Sequence, residues 1–420
     1  MLVRLNMNVE ILKEAIINSN KWWKEPISLD FRHRDIYDEI KKYYSKKQIV
    51  ALVGLRRTGK TTIMLKIIQD AIKSMPSESI MYFSFDEYRG IRIQEVINIY
   101  LNLLNKKISS EKYLFLFDEI QKVDNWEEQL KRIYDGNQNI KFIISGSESL
   151  FIRKKSRESL AGRMYEFQIK NLNFREYLKF KNIEFNNLEI YKNEILSEFN
   201  KYLISNGFPE LINEDKESSS KYIKENVIER IIYKDIPQIT NINDPSTLDQ
   251  IYKIILYNPG NIINIIDLSK DLGISRQTIS NYLDYLEKSF LINKLYNYSK
   301  NVKKTQRKFK RYYPSIIIPE LLEKEDFFGK VFETSIVNQI GAQFFWRDNN
   351  KNEVDIIQPE PLTAIEIKSG EIKERDLVPL IKFSKKFNPN SAIIISYNLK
   401  KTIKLIEIIP FYEYLLKSKM

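Results

Sequence analysis

The run Ile49-Val50-Ala51-Leu52-Val53-Gly54-Leu55-Arg56-Arg57-Thr58-Gly59-Lys60-Thr61-Thr62 decides the fold of this chain. Its first five residues are apolar, as in a strand that is buried on both faces of a sheet. The pattern Gly-x4-Gly-Lys-Thr follows at once and leads into a segment with helical periodicity. A strand, a glycine-rich loop and a helix in this order bind phosphate, because loop N–H groups and the helix amino terminus face the anion. The sequence therefore predicts an α/β fold of the P-loop NTPase type.

The residues of this loop have separate predicted tasks. Lys60 places a compact positive charge on the β- and γ-phosphate oxygens, and the hydroxyl of Thr61 binds Mg²⁺. The side chain of Arg57 faces either the phosphates or solvent. We predict ATP and Mg²⁺ as cofactors, with nucleotide contacts from Gly54, Arg57, Thr58, Gly59, Lys60, Thr61 and Thr62.

Short apolar runs alternate with longer amphipathic stretches up to about residue 167. The apolar runs are residues 49–53, 80–85, 113–117 and 141–145, and the amphipathic stretches include residues 63–72 and 93–104. This alternation is typical of βαβ units and predicts a parallel sheet buried on both faces. From residue 174 the pattern becomes helical and charged, which predicts a helical lid.

Two acidic residues follow the apolar run 113–117, at the carboxyl end of a predicted strand. ATP hydrolysis needs a carboxylate near the metal and a group that orients the attacking water. We expect Asp118 to bind Mg²⁺ and Glu119 to polarise the water. Ser145 ends the next predicted strand, where a group that senses the γ-phosphate would lie. Arg163 is a candidate for stabilising the transition state, and a surface salt bridge fits it equally well.

A series of short motifs resembles the archaeal and bacterial AAA-type ATPases related to the STAND class. Besides the phosphate loop, the motifs are Tyr82-Phe83-Ser84-Phe85-Asp86, Phe117-Asp118-Glu119-Ile120-Gln121, Ser145-Gly146-Ser147, Leu160-Ala161-Gly162-Arg163 and Asn206-Gly207-Phe208-Pro209-Glu210. Members of that family usually carry a winged helix and a C-terminal domain similar to restriction endonucleases. The resemblance therefore implies an AAA+-like core with a helical lid, followed by these two modules.

Residues 266–283 have the pattern of a helix-turn-helix, with a turn at Gly273 and a second helix capped by Ser275. Four polar side chains of the second helix point outward, on the helix that enters the major groove in such motifs. They are Arg276, Gln277, Ser280 and Asn281. We expect residues 291–298 to form the wing and residues 300–311 to form a basic strip that contacts phosphate. The alternative is a helical lid used only for packing or partner contact.

The last hundred residues hold a second group of acidic and basic side chains. Asp355 lies in one apolar run, and strand alternation places Glu366 and Lys368 on one face of the next. Two carboxylates can hold Mg²⁺ here while Lys368 orients water, although an ordinary half-exposed strand has the same pattern. The set resembles the PD-(D/E)xK nuclease core, which implies Glu333 as a further acidic ligand. The relatives tend to have an acid after their Lys-x-Tyr strand, whereas this chain has Arg311-Tyr312-Tyr313-Pro314-Ser315.

The composition restricts the chemistry of the 420-residue chain, which contains no cysteine and a single histidine, His33. Its neighbours Arg32 and Arg34 disfavour protonation of His33. Because the chain has no cysteine and only this histidine, its composition argues against Ser-His-Asp catalysis and against Cys- or His-ligated metals. The formal charge of +12 favours double-stranded DNA over a membrane surface, because no segment approaches 18 successive apolar residues. The first 23 residues lack the pattern of a secretion signal, so we expect a cytoplasmic protein.

The sequence predicts five parts along the chain. They are an N-terminal helical lead-in (residues 1–45), the ATPase core (46–170), the helical lid (171–245), the winged helix-turn-helix (246–312) and the nuclease-like domain (313–420). We expect an ATPase that binds DNA, with nuclease activity left open. The alternative is a nucleotide-dependent switch that gathers protein partners and has an inactive nuclease-like domain. A homo-oligomer is required if Arg163 acts on a neighbouring subunit.

Overall fold

The computed structural model describes residues 2–88, 90–109, 111–146, 160–240, 242, 244–301, 305 and 309–417. The chain divides into two compact units, Met1–Lys170 and Asn171–Met420, each with its own β-sheet. The limit between these units coincides with the predicted end of the ATPase core. Among the described residues, no helix is long and apolar enough to cross a membrane.

The first unit is built on a parallel sheet of five strands in the order β2-β3-β4-β1-β5. The strands are β1 (Ile49–Val53), β2 (Ile80–Ser84), β3 (Tyr113–Asp118), β4 (Ile140–Gly146) and β5 (Met164–Gln168). All residues of β1 and β3 are buried, as expected of central strands in a parallel sheet. The prediction of a parallel sheet is therefore confirmed. β5 was not predicted, because it lies at the sheet edge and most of its residues are exposed.

The helices of the first unit cover this sheet and its outer edge. They are α1 (Leu2–Ser19), α2 (Asp35–Lys41), α3 (Lys60–Ala71), α4 (Ile93–Leu103) and α5 (Trp126–Gly136). Asn20, after α1, closes the free edge of β2 much as a neighbouring strand would. Its side chain accepts from the Tyr82 N–H at 2.7 Å and donates to the Tyr82 carbonyl at 2.9 Å. The indole of Trp23 donates to the Ile80 carbonyl at 2.9 Å, so the N-terminal segment protects this edge from pairing elsewhere.

The second unit begins with a series of helices. They are α6 (Phe174–Phe180), α7 (Lys192–Ser205), α8 (Lys216–Lys221), α9 (Ile236–Ile239), α10 (Pro245–Tyr257), α11 (Ile265–Leu272) and α12 (Arg276–Lys288). Two π-helical stretches, Tyr222–Glu229 and Ile231–Asp235, connect α8 to α9. In the motif at residues 206–210 the backbone passes very close to another segment of the chain. A Cβ on Gly207 would lie 2.2 Å from the Leu172 carbonyl oxygen. Only glycine fits this position.

An eight-stranded mixed sheet forms the rest of the second unit, in the order β12-β13-β11-β10-β9-β8-β6-β7. The strands are β6 (Ile292–Asn297), β7 (Lys310–Pro314), β8 (Phe344–Arg347), β9 (Glu353–Pro359), β10 (Leu362–Lys368), β11 (Ser391–Ser396), β12 (Lys401–Ile403) and β13 (Ile406–Pro410). The helices are α13 (Phe328–Ile340), α14 (Val378–Phe387) and α15 (Phe411–Lys417). Aromatic packing of Trp346 against Phe383 joins β8 to α14. The unit is thus of the α/β class.

The structure corrects the prediction that residues 291–298 form a wing. Residues 292–297 form β6, which pairs with β7 on one side and β8 on the other, so they lie within the sheet. The predicted limit between residues 312 and 313 falls inside β7. Arg311, the last residue of the predicted phosphate-contacting strip, is 7% exposed and cannot reach DNA. Residues 302–304 and 306–308 of that strip lie outside the described residues.

Candidate nucleotide site and acidic centre

The loop after β1 makes a turn that requires glycine at two positions. A Cβ on Gly54 would lie 2.2 Å from the carbonyl oxygen of Ile169, which follows β5. Gly59 has a φ of +92°, and α3 begins at the next residue. The backbone therefore passes close to β5 and then turns, so that the amino terminus of α3 faces the inside of the loop.

Lys60 and Thr58 hold the loop in shape from within. The Lys60 ammonium donates to the carbonyl oxygens of Gly54 at 3.0 Å and Leu55 at 2.8 Å, and the Thr58 hydroxyl donates to Leu55 at 2.9 Å. Lys60 is only 6% exposed. Its charge lies among backbone carbonyls, which it can exchange for phosphate oxygens. Thr61 and Thr62, in the first turn of α3, are exposed and open to a ligand.

Asp118 ends β3 and joins three neighbouring elements through its buried carboxylate. It accepts hydrogen bonds from the hydroxyls of Thr61 at 2.7 Å and Tyr82 at 2.9 Å, and from the Glu119 N–H at 3.0 Å. The hydroxyl of Ser145, in β4, is also bonded to it. The structure thus brings Thr61, Asp118 and Ser145 together, as the predicted site requires. A carboxylate and a hydroxyl beside a phosphate loop are oxygen ligands of the type that Mg²⁺ prefers, so these residues fit the metal.

Glu119 is held beside this carboxylate in an unusual backbone conformation. Its φ is +52°, in the left-handed region that costs energy for a residue with a side chain. The Gln121 amide donates to the Glu119 carboxylate at 2.5 Å. This contact orients a partly exposed acid next to the proposed metal ligand, where it can orient a water molecule.

Two residues of this site were not predicted from the sequence. Arg34, which precedes α2 and is 5% exposed, donates to the carbonyls of Thr58 at 3.0 Å and Lys170 at 2.8 Å. Tyr82 donates to Asp118 from β2, and burial together with that carboxylate raises the pKa of Tyr82, so its hydroxyl stays a donor. Both are distant from the loop in sequence. The only available signal was the hydroxyl of Tyr82 in an otherwise apolar run.

Arg163 lies at the opposite end of the sheet from the phosphate loop. Its carbonyl accepts from the Ile49 N–H at 2.8 Å, at the amino end of β1, whereas the loop follows the carboxyl end. Its guanidinium forms a bidentate pair with Asp135, at 2.9 and 3.1 Å. A five-residue strand separates the two ends by roughly 16 Å. Arg163 therefore does not reach the phosphate site of its own chain, and of the two roles predicted for it the surface salt bridge is observed.

α11 and α12 lie at the predicted helix-turn-helix. Gly273 turns the chain with a φ of +66°, and the Ser275 hydroxyl caps α12 by accepting from the Thr278 N–H at 3.0 Å. A backbone bridge between Ile262 and Arg311 adds a short third segment to the hairpin of β6 and β7. The side chains predicted to contact DNA are all exposed, namely Arg276, Gln277, Ser280 and Asn281.

Three predicted carboxylates meet in the second unit, and we call this group, Glu333, Asp355 and Glu366, the acidic centre. Burial and the charge of Asp355 raise the pKa of Glu333 to about 7 and hold that of Glu366 well above its usual range. Lys368 pairs with Glu366 at 2.9 Å. Burial would lower the pKa of Lys368, but Glu366 and Asp355 raise it to about 12. The Tyr313 hydroxyl donates to Glu333 at 2.7 Å.

The acidic centre does not fit a metal ion. Arg311, which was not predicted to belong to it, places its guanidinium 3.1 Å from the carboxylate of Asp355. Among the residues that the structure describes, no group of three or more acidic or histidine side chains is placed to hold a metal. The prediction that Glu333, Asp355 and Glu366 bind Mg²⁺ is therefore wrong for this arrangement, because a protein cation already neutralises Asp355.

Comparison with known proteins supports the nucleotide site. Residues 46–178 match a family model described as an AAA domain, which supports a nucleotide-binding P-loop ATPase. Residues 196–314 match a model described as a domain of unknown function. The chain is 32% identical to the uncharacterized protein MJ1544 of Methanocaldococcus jannaschii, over 97% of this chain and 98% of that protein. It is 33% identical to MJ1637 of the same organism, over 73% and 70%.

More distant similarities extend to a bacterium and to solved structures. An uncharacterized protein of Haemophilus influenzae is 29% identical, over 62% of this chain and 66% of that protein. Caenorhabditis elegans PCH-2 is 14% identical with a TM-score of 0.26, covering 42% of this chain and 45% of its own. A Thermotoga maritima RuvB variant is 18% identical with a TM-score of 0.28, covering 67% and 90%. At these scores the two structures carry no conclusion.

Replacement of Arg34 by methionine tests its role beneath the loop. Hydrogen bonds from a charged group contribute about 1.5–3 kcal/mol, so we expect Arg34→Met to weaken binding of Mg·ATP by roughly tenfold or more. Fluorescence titration with a labelled ATP analogue measures this change. The exposed neighbour Arg32 gives a matched control, and Arg32→Met should leave Kd unchanged. An unaltered Kd for Arg34→Met in a folded protein would show that Arg34 does not position the loop.

Proposed function

The chain belongs to the same family as the Methanocaldococcus jannaschii proteins MJ1544 and MJ1637. We propose that it is an ATPase that binds duplex DNA. The observation that carries the ATPase part is the contact between the Thr61 hydroxyl and the Asp118 carboxylate, 2.7 Å apart beside the phosphate loop. Together with the AAA-domain match, this contact supports a site for ATP and Mg²⁺.

The proposed site assigns one task to each residue. Lys60 would neutralise the β- and γ-phosphates, and Thr61 and Asp118 would hold Mg²⁺, which would supply positive charge beside the transferred phosphoryl group. Glu119 takes the position that orients the attacking water, and Gln121 holds its carboxylate. The Ser145 hydroxyl, on β4, bonds to the Asp118 carboxylate and completes the fixed arrangement around it. The loop glycines allow N–H groups to approach the phosphates closely.

Substitution of Glu119 by glutamine separates ATP binding from ATP turnover. The amide keeps the size of the side chain but accepts a proton poorly, so we expect turnover to fall by roughly 100-fold or more while Kd for Mg·ATP changes little. Lys60→Ala should instead weaken binding, because the phosphates lose a buried charge. Phosphate release and nucleotide titration measure the two effects.

Glu128, an exposed acid on α5, gives the matched control for this test. Glu128→Gln should hydrolyse ATP at the wild-type rate. If Lys60→Ala binds and hydrolyses ATP like the wild type, the proposed nucleotide site is wrong. If Glu119→Gln alone keeps full turnover, the site is retained but another group orients the water.

The DNA part of the proposal is supported by the exposed face of α12. This helix follows a capped turn, presents four polar side chains to solvent and leads directly into the hairpin of β6 and β7. α10, α11, α12 and this hairpin have the order of elements expected of a winged helix. The excess of 67 basic over 55 acidic residues favours a polyanionic partner.

The rival function is a nucleotide-dependent switch that gathers protein partners. One observation favours the inactive nuclease-like domain of this rival. In the acidic centre Asp355 pairs with Arg311, and no group of described acidic side chains is placed to hold a metal. Nuclease activity is therefore not part of our proposal. The two functions differ in their salt dependence, since phosphate contacts release counterions and weaken steeply as salt rises. A homo-oligomer in which Arg163 reaches a neighbouring subunit is compatible with both.

Replacement of Arg276 by alanine tests the DNA-binding face of α12. We expect the wild-type protein to bind a duplex with an affinity that falls steeply with salt, and Arg276→Ala to bind roughly tenfold more weakly. Fluorescence anisotropy across a salt series measures both quantities. Arg375, exposed in the 3-10 turn Glu374–Leu377, provides a matched arginine control. Absence of salt-dependent binding, or equal losses for Arg276→Ala and Arg375→Ala, would favour the switch.

A further inference from the structure

Contacts from two neighbouring strands hold the side chain of Arg311 in the acidic centre. One guanidinium nitrogen lies 3.1 Å from Asp355 and the other pairs with Glu353, both on β9. The guanidinium also lies 5.0 Å from the centre of the Phe345 ring, on β8. Its side chain is 9% exposed. The sheet therefore encloses a planar cation on several sides, which is a geometry suited to arginine.

The protein also supplies further partners for Asp355 and Glu366. The second oxygen of Asp355 accepts from the Ile367 N–H at 2.9 Å. Lys368 pairs with Glu366 at 2.9 Å. Two cations, Arg311 and Lys368, thus pair with Asp355 and Glu366 and offset part of the negative charge of the centre without a metal ion. A buried carboxylate is stable only when it is paired or hydrogen-bonded in this way.

A divalent cation on Asp355 would be repelled by the guanidinium already present. Mg²⁺ lies about 2.1 Å from a carboxylate oxygen, and Arg311 lies 3.1 Å from the same carboxylate group. The two cations would be within roughly 5 Å of each other if they shared that oxygen, in a buried region where solvent screens charge weakly. Glu366 Oε2 is buried without a hydrogen-bond partner. It becomes a ligand for a metal once the competing charge is removed.

We infer that the Arg311 guanidinium takes the place of a divalent cation in the acidic centre, so that this domain holds no catalytic metal. Arg311 lies on β7. β7 pairs with β6, and β6 follows α12 closely in the chain. The same guanidinium therefore also fastens the hairpin after the helix-turn-helix to β9.

Titration with Mn²⁺ on the full chain tests this inference. The free ion is followed by electron paramagnetic resonance without nucleotide, and every protein carries Asp118→Asn so that the phosphate loop contributes no metal site. The Asp118→Asn protein is the parent of the series. The parent, and the parent with Asp355→Asn added, should bind Mn²⁺ equally weakly. Arg311→Gln, which removes the charge and keeps a polar side chain, should gain a site at least tenfold tighter. Adding Asp355→Asn to Arg311→Gln should remove that site.

The result is decisive even if one variant is unstable. A Mn²⁺ site in the parent that Asp355→Asn removes would overturn the inference, because metal and guanidinium would then bind together. A folded Arg311→Gln protein that gains no affinity would also overturn it. Circular dichroism establishes folding. If Arg311→Gln does not fold, the comparison of the parent with Asp355→Asn decides alone, since equal weak binding supports the inference and an Asp355-dependent site refutes it.

Discussion

The carboxylate of Asp118 is the constraint on which the nucleotide site depends. Hydroxyls from α3, β2 and β4 donate to it, as does the next backbone N–H in the chain. These donors are neutral, so they fix the position of the carboxylate and leave its charge for a cation to balance. A buried acid whose oxygens are fixed in this way is suited to hold Mg²⁺ next to a phosphate loop.

The acidic centre of the second unit balances the charge of a buried carboxylate in a different way. Asp355 is also buried and also accepts a backbone N–H, but its balancing charge comes from Arg311. The two centres therefore differ in whether the protein supplies the cation. A guanidinium binds in one fixed geometry and cannot activate water as a metal does. The acidic centre therefore keeps its carboxylates and balances the charge of Asp355 from within the protein.

Local sequence was enough to predict the parts that depend on local physics. Buried parallel strands are apolar throughout, so four strands of the first sheet and the loop after β1 could be identified. β5 was missed because an edge strand has no such run. Arg34 and Tyr82 were missed because their contacts with the loop and with Asp118 join distant segments. For Arg163 the sequence left a role at the phosphates and a surface salt bridge open, because the motif does not show at which end of the sheet the residue lies.

The most direct test of the nucleotide site is the binding of Mn²⁺ in the presence of saturating ATP, measured for the wild type and for Asp118→Asn. The asparagine keeps the size of the side chain and removes the charge that the metal requires. We predict that the wild type binds Mn²⁺ with ATP at one site, and that Asp118→Asn weakens this binding by roughly tenfold or more. Equal Mn²⁺ affinity in the two proteins would contradict the role of Asp118 and the nucleotide site built around it.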